Sequence, residues 1–233
     1  MPRTTTETDL AAVLWDMDGT LVDTEPYWIA VELEMSAEHG GTWDESLGTD
    51  LVGMPLEVSA AALSERAGVR GTVEEIIEEM IARVIDRIAT RGLPWRPGAR
   101  ELLDELTAAG VPLALVTMSW RRLTDVVLAS LHPHPFAVVV TGDEVSRGKP
   151  HPEPYLRAAR ELGVDPAACV AIEDSLPGLA SAEASGAAVI GVQAKVAIPA
   201  AAGRSRLPDL EGVTVADLRR VLAGDVMDRL ADG

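Results

Sequence analysis

The amino-acid sequence predicts an α/β protein whose core is a doubly wound parallel sheet, with an all-α cap domain inserted after the first strand. Three observations predict this fold class. Beyond residue 92, short apolar runs alternate with amphipathic helical patterns, as in strand–helix–strand units with right-handed crossovers. The first apolar run ends in a glycine turn, which is typical of a buried parallel strand. A long helical stretch separates this run from the rest, and 233 residues with 47% hydrophobic content can fill both units.

The first predicted strand covers residues 10–15, an apolar run that stops at Asp16-Met17-Asp18-Gly19-Thr20. From about residue 26 to residue 92 the pattern is helical, and residues 73–91 give the clearest helix. Their apolar side chains recur every 3.6 residues, with acids at the start, arginines at the end and Gly92 as the stop. This distribution suits the dipole of a single long helix.

The second half of the chain alternates between helix and strand. Pro97 suits the first turn of a helix, and Gly110 suits its end. The predicted order is helix 97–110, strand 112–116, helix 121–131, strand 137–140, helix 152–162, strand 169–172, helix 176–185 and strand 188–192. This order predicts a Rossmann-like sheet.

The domain boundaries follow from the change of pattern. We expect the α/β core domain over residues 1–23 and 93–233, and the helical cap domain over residues 24–92. The Ala-rich residues 194–206 predict a surface connection, and the acidic C-terminal tail predicts a frayed end.

The charge balance limits the partners. The chain has 20 basic and 37 acidic side chains, a formal net charge of −17, which disfavours nucleic acid and anionic membrane surfaces. A single cysteine, Cys169, excludes an intrachain disulfide and a cysteine zinc site. The N-terminal residues show no apolar signal region, and no apolar run approaches the ~20 residues of a membrane span. We therefore expect a cytoplasmic protein, and a monomer.

Polar side chains cluster after four of the predicted strands, where ligands bind in open α/β sheets. They are Asp16, Asp18, Thr117, Ser119, Asp143, Lys149, Glu173, Asp174 and Ser175. Two carboxylates about 4 Å apart repel each other by about 4 kcal/mol at an effective dielectric constant near 20, so such a cluster requires a cation. Carboxylate and carbonyl oxygens are hard ligands, which favours Mg²⁺.

Four segments of the sequence resemble the motifs of the haloacid dehalogenase superfamily, in its phosphatase and β-phosphoglucomutase-like branch. Residues 16–25 read Asp-Met-Asp-Gly-Thr-Leu-Val-Asp-Thr-Glu and resemble the first motif. The others are Thr117, residues 148–155 (Gly-Lys-Pro-His-Pro-Glu-Pro-Tyr) and residues 172–175 (Ile-Glu-Asp-Ser) with Gly178. The motifs follow the family's order, and the helical insertion lies where this branch carries its cap domain.

The resemblance implies that the chain is a phosphoric monoester hydrolase that works through an aspartyl phosphate. Asp16 would be the nucleophile, and Asp18 the acid that protonates the leaving oxygen and then the base that activates water. Thr117 and Lys149 would hold the phosphoryl oxygens, together with Met118 and Ser119.

The resemblance also implies the metal ligands and the substrate class. Asp16, Asp174 and the backbone carbonyl of Asp18 would bind Mg²⁺, with Glu173 as a direct or water-linked partner. A small phosphorylated metabolite is the expected partner, and a sugar or polyol phosphate is favoured. Specificity is expected from the insertion and from residues 23–28, with Trp28, Trp43, Trp95 and Met54 as candidates for an apolar lid or for core packing.

Two alternatives remain at this point. A β-phosphoglucomutase-like enzyme is expected to have an arginine within residues 53–56 to hold a second phosphate, and none is present there. A phosphoacceptor signalling domain of the response-regulator type also combines Asp, Thr and Lys-Pro. However, its paired acids follow the first strand, its acceptor lies on a later strand, and no helical cap interrupts it.

Overall fold

The computed structural model describes residues 9–230, so the ends of the predicted core, residues 1–8 and 231–233, lie outside the described part of the chain. Six strands form one sheet: β1 (Ala12–Trp15), β2 (Leu113–Val116), β3 (Val138–Val140), β4 (Cys169–Glu173), β5 (Ala188–Val192) and β6 (Arg204–Leu207). All neighbours are parallel, and the order across the sheet is β3-β2-β1-β4-β5-β6. The predicted parallel sheet is confirmed.

The helices of the described region are α1 (Glu25–Glu38), α2 (Glu45–Asp50), α3 (Leu56–Ala67), α4 (Val73–Arg91), α5 (Ala99–Ala108), α6 (Arg121–Ala129), α7 (Glu153–Leu162), α8 (Leu176–Ser185) and α9 (Val215–Leu222). Each strand and helix predicted individually is present, with ends within two residues of the predicted ones. Within residues 9–230, no helix combines the length and the apolar character needed to cross a membrane.

Helices cover both faces of the sheet, as a doubly wound fold requires. Successive side chains of a strand point to opposite faces, so Val13 and Trp15 of β1 pack with α5, α6 and α9. Ala12 and Leu14 of the same strand pack with α7 and α8. All four are buried, which explains why this strand is apolar throughout.

The helical insertion between β1 and α5 has a hydrophobic cluster of its own. Helix α4 supplies much of it, through Ile76, Ile77, Met80, Ile81 and Val84. The start of α4 carries the capping box that Thr72 and Glu75 form. Leu123 of α6 also belongs to this cluster, so the insertion packs directly on the sheet core.

The prediction for the C-terminal region was wrong in two respects. Residues 204–206, expected in a surface connection, belong to the edge strand β6, and the expected frayed tail contains α9. The strand has no continuous apolar run because it contains Arg206, which is buried. A guanidinium nitrogen of Arg206 pairs with Oδ2 of Asp228 at 2.6 Å, and this ion pair allows the burial. In α9, Val215, Leu218 and Val221 are buried against the sheet core.

Candidate active site

The candidate site lies at the carboxyl ends of the two central strands. Strands β1 and β4 are neighbours in the sheet, with Trp15 opposite Ile172. The strand that follows β1 in the chain, β2, lies on one side of this pair, and the strand that follows β4, β5, lies on the other. Such a reversal of strand order opens a crevice in which ligands of open α/β sheets bind. The backbone N–H of Asp16 donates to Ile172 O at 3.0 Å. The residue that follows β1 therefore lies beside Glu173 and Asp174.

Three buried carboxylates meet in this crevice. Asp16, Glu173 and Asp174 each offer an oxygen, and these oxygens lie within 4.8 Å of one another. Among the described residues, Oδ2 of Asp16 and Oδ2 of Asp174 have no hydrogen-bond partner although both atoms are buried. Buried polar atoms are normally paired, so two unpaired carboxylate oxygens at one place fit a divalent cation.

The Lys149 ammonium group is buried among these acids, with the residue only 2% exposed. It donates to Oδ1 of Asp16 at 2.6 Å and to the carbonyl of Val116 at 2.9 Å, and its Nζ lies 2.5 Å from Oε1 of Glu173. An ammonium group has three protons, so each has an acceptor. Burial opposes the charge, but the Asp16 and Glu173 carboxylates outweigh it and hold the pKa of Lys149 above its ordinary value.

Glu173 is tied into the core of the site by four contacts. Its Oε1 lies against Lys149 and accepts from the Tyr155 hydroxyl at 2.6 Å. Its Oε2 accepts from the backbone of Asp174 and from the hydroxyl of Ser175, each at 3.2 Å. Burial, and next the Glu173 carboxylate, raise the pKa of Tyr155 well above its usual value, which keeps that hydroxyl a proton donor. Sequence analysis missed this role of Tyr155, although the residue ends the third motif.

One ammonium group cannot neutralise three carboxylates, and the pKa values reflect this. Burial raises the pKa of Asp16 to about 8, and Glu173 adds to the effect, while Lys149 opposes it. Burial, and next the charge of Asp16, raise the pKa of Asp174 well above its ordinary value. Without a cation, the site therefore retains protons that a cation would displace.

Asp18 has a different environment from the other acids. Its Oδ1 accepts from the Thr24 hydroxyl and from Nε1 of Trp28 at 3.3 Å. Its Oδ2 accepts from the hydroxyls of Thr117 at 3.2 Å and Ser119 at 2.8 Å. The carboxyl group is thus oriented by the first turn of the insertion on one side and by the segment after β2 on the other.

A tight turn brings the backbone that follows Asp18 close to Asp174. Gly19 has a φ of +83°, and a Cβ at this position would lie 2.0 Å from Oδ2 of Asp174. Only glycine combines this backbone conformation with such a close approach. Thr20, which follows, donates to Oδ1 of Asp174 at 3.4 Å.

Above these residues, a cavity of about 60 Å³ separates the sheet core from the helical insertion. Asp16, Asp18, Thr117, Met118, Ser119 and Lys149 line it from the core side. Trp28 and Met54 line it from the insertion, but Trp43 packs in the cluster of the insertion and Trp95 against the sheet core. Asp143 lies elsewhere: it accepts from the backbone N–H of Arg121, at the start of α6.

The strand order, the position of the insertion and the acids around a buried lysine define a class, the hydrolases of the haloacid dehalogenase type, which have a Rossmann-like α/β core. The profile of the family described as haloacid dehalogenase-like hydrolase matches residues 13–192. The chain belongs to this family, as the resemblance implied.

Two relatives agree with this assignment, and one of them is named as a phosphatase. Protein CbbY of Rhodobacter capsulatus is 35% identical over 192 residues, which cover 78% of this chain and 85% of the relative. Hexitol phosphatase B of Escherichia coli (strain K12) is 31% identical over 192 residues, which cover 77% of this chain and 82% of the relative. The prediction of an enzyme, a phosphoric monoester hydrolase of this superfamily, is confirmed.

A solved structure shows that the whole architecture is shared. The crystal structure of CbbY from Rhodobacter sphaeroides in complex with phosphate matches with a TM-score of 0.80 at 28% identity. The match covers 90% of this chain and 99% of the other. It includes both the sheet core and the insertion.

Proposed function

We propose that the chain is a Mg²⁺-dependent phosphatase that hydrolyses small phosphate monoesters, with sugar or polyol phosphates favoured, through an aspartyl phosphate. One observation carries the proposal: Asp16 keeps one oxygen on Lys149 and the other unpaired beside Asp174, on the floor of a cavity. One carboxylate at this position can bind the cation through one oxygen and attack phosphorus through the other. The hexitol phosphatase among the relatives, and the phosphate in the related CbbY structure, support the phosphate ester as substrate.

Two transfers complete the reaction. In the first, an Asp16 oxygen forms a bond to phosphorus, the bond from phosphorus to the ester oxygen breaks, and Asp18 gives that oxygen its proton. In the second, Asp18 takes a proton from water, the water oxygen bonds to phosphorus, and the bond from Asp16 to phosphorus breaks. The donors around Asp18, from Thr24 to Ser119, keep its carboxyl group facing the cavity.

The phosphoryl oxygens are held by Lys149, the Thr117 hydroxyl, and Met118 and Ser119 at the same turn. Since every proton of Lys149 already has an acceptor, an incoming phosphoryl oxygen replaces or shares one of them. The ammonium and the hydroxyl donors offset the negative charge that opposes the approach of Asp16 to an anionic ester.

Asp16, Asp174 and the backbone carbonyl of Asp18 would hold Mg²⁺. Both oxygens of Glu173 already take two contacts each, so we assign this residue a water-linked position. When bound, Mg²⁺ supplies positive charge that stabilises the transferring phosphoryl group.

Hydrolysis is favoured over phosphomutase activity by the lining of the cavity. Lys149 is its only cationic residue within the described part of the chain, and it lies at the core side. Residues 53–56 present no arginine for a second phosphate, as the sequence already indicates.

A panel of phosphate esters tests the proposal. We expect release of inorganic phosphate that requires Mg²⁺ and stops with EDTA. With β-glucose 1-phosphate and catalytic bisphosphate, formation of glucose 6-phosphate without free phosphate would establish the mutase instead. A phosphoprotein that is stable for hours after exposure to acetyl phosphate would favour a signalling domain.

The metal-free and metal-bound proteins should respond differently to pH. Asp16 and Asp174 have raised pKa values in the folded state, so the folded protein binds more protons than the unfolded chain. Their contribution to the stability of the metal-free protein is therefore fully present below about pH 4 and decreases as the pH rises towards 8. Mg²⁺ replaces these protons, so the rise in Tm that Mg²⁺ produces should be larger at pH 8 than at pH 6.

Thermal unfolding with Mg²⁺ or with EDTA at both pH values measures this effect. Asp174→Asn removes one of the unpaired oxygens and should lose most of the Mg²⁺-dependent rise in Tm. An unchanged response in that variant would show that the metal binds elsewhere.

A further inference from the structure

Two buried glutamates of the insertion line the cavity at positions that the proposed catalytic steps do not use. Glu25 and Glu32 are seven residues apart on the same face of α1, and they are only 6% and 5% exposed. An ordinary surface acid of α1 would lie on the face of the helix that points to solvent. Such burial of a carboxyl group is costly unless a partner satisfies it.

These carboxyl groups have few partners within the protein. Among the described residues, no hydrogen-bond donor reaches the Glu25 carboxyl group, and Glu32 accepts one bond, from Nε1 of Trp43 at 3.2 Å. Burial raises the pKa of Glu25 to about 8, with Asp18 as the next cause, and burial raises the pKa of Glu32 to about 7. Within residues 9–230, the cavity lining holds one cation, Lys149, and its ion pairs are with Asp16 and Glu173.

The surroundings of the two glutamates suit a molecule with both apolar and hydroxyl surfaces. Trp28 and Ile29 lie between them on α1, and Met80 lines the same cavity. Glycine at residue 48 leaves space for the Glu32 carboxyl group, because a Cβ at this position would lie 2.7 Å from Oε2 of Glu32. Carboxyl oxygens accept hydrogen bonds from hydroxyl groups, while the apolar side chains suit the C–H faces of a carbon chain.

We propose that Glu25 and Glu32 form the subsite for the leaving group, accept hydrogen bonds from an uncharged polyhydroxyl chain, and reject a leaving group that carries a second negative charge. This inference rests on the proposed phosphatase function and adds the residues that select among phosphate esters. The selection is electrostatic above about pH 8, where both carboxyl groups are ionised: a carboxylate or second phosphate would then lie close to two buried negative charges.

A matched pair of substrates tests the proposal with the intact protein and Mg²⁺ at pH 9, where both glutamates are ionised. D-glucitol 6-phosphate and 6-phosphogluconate share a hydroxylated six-carbon chain with phosphate on C6, and differ in having a hydroxymethyl or a carboxylate group at C1. We expect the wild type to favour D-glucitol 6-phosphate by at least about tenfold in kcat/KM. Equal values, or a preference for 6-phosphogluconate, would overturn the proposal.

Two nearly isosteric variants locate the selection. Glu32→Gln and Glu25→Gln should each lower kcat/KM for D-glucitol 6-phosphate and reduce the preference over 6-phosphogluconate about fivefold or more. A merely structural role would slow both substrates by the same factor, and that result in both variants would contradict the assignment. Glu57→Gln removes the same charge from the exposed surface of α3 and should change neither rate.

Hydrolysis of p-nitrophenyl phosphate distinguishes failure of the subsite proposal from failure of the proposed phosphatase function. If the wild type hydrolyses this ester but neither sugar phosphate, the subsite proposal fails and the phosphatase function stands. If none of the three esters is hydrolysed, the proposed function itself fails.

Discussion

Asp16→Asn is expected to abolish phosphatase activity, with a decrease in kcat of about 10⁴-fold or more, while the fold is retained. The amide cannot act as the nucleophile, yet its oxygen can still accept from Lys149 at the position of Oδ1. Because burial raises the pKa of Asp16 to about 8, a neutral side chain at this position removes a charge that the metal-free fold accommodates poorly. The Tm of the metal-free variant should therefore equal or exceed that of the wild type at pH 8.

Single-turnover kinetics and thermal unfolding measure the two parts of this expectation. Asp104→Asn removes an exposed acid from α5 and serves as the matched control, with normal activity. Mg²⁺-dependent turnover by pure Asp16→Asn protein would show that another group attacks phosphorus.

Lys149→Met should have the second largest effect, on both activity and stability. The variant leaves Asp16 and Glu173 without the ammonium group that separates them, and losing one partner of a buried ion pair costs about 3–5 kcal/mol of unfolding free energy. The cost should be smaller at pH 5, because the pKa of Asp16 is raised to about 8 and its carboxyl group is protonated there. Activity should decrease at least ~10²–10³-fold, since the phosphoryl oxygens lose a buried cationic donor.

Urea unfolding at pH 5 and pH 8 and the rate of phosphate release measure these changes. Lys195→Met is a matched control, because Lys195 is the other lysine of the sequence and is exposed. Wild-type activity in Lys149→Met protein would exclude Lys149 from phosphate binding.

Much of the fold could be predicted from the sequence because the apolar pattern matches the local structure. The strands of the sheet centre are buried on both faces, so their apolar runs are continuous, and α4 has both a capping box and a regular apolar stripe. Strand β6 could not be predicted because it contains a buried arginine, Arg206. This residue pairs with Asp228, 22 residues later in the chain, and no local sequence pattern indicates such a contact. The cytoplasmic location and the monomeric state stay predictions.

The position of Asp16 and Asp174 could be predicted because each follows a strand end. Lys149 lies nine residues beyond β3 and was indicated by the third motif, whereas Asp143, expected in the cluster, lies against the start of α6.

The polar network that orients the acids and the lysine could not be predicted. Tyr155 lies on α7 and reaches Glu173 only after α7 packs on the sheet, and Glu32 resembles an ordinary surface acid in the sequence. The helical spacing of α1 could have indicated Glu32. This residue lies on the same helix face as Trp28 and as Glu25, the last residue of the first motif.

The central position of β1 has a consequence for the order in which the molecule is assembled. In the sheet, Val13 pairs with Leu113, 100 residues later in the chain, and with Val170, 157 residues later. During synthesis, this apolar strand is made before either neighbour, so its backbone groups and side chains cannot pair with them until β2 and β4 have been made. The helices of the insertion lie between β1 and β2 in the chain, and their packing into one hydrophobic cluster shortens the loop that separates the two strands. Asp16 is thus made 158 residues before Asp174, and the two carboxylates can meet only after β4 has been synthesised.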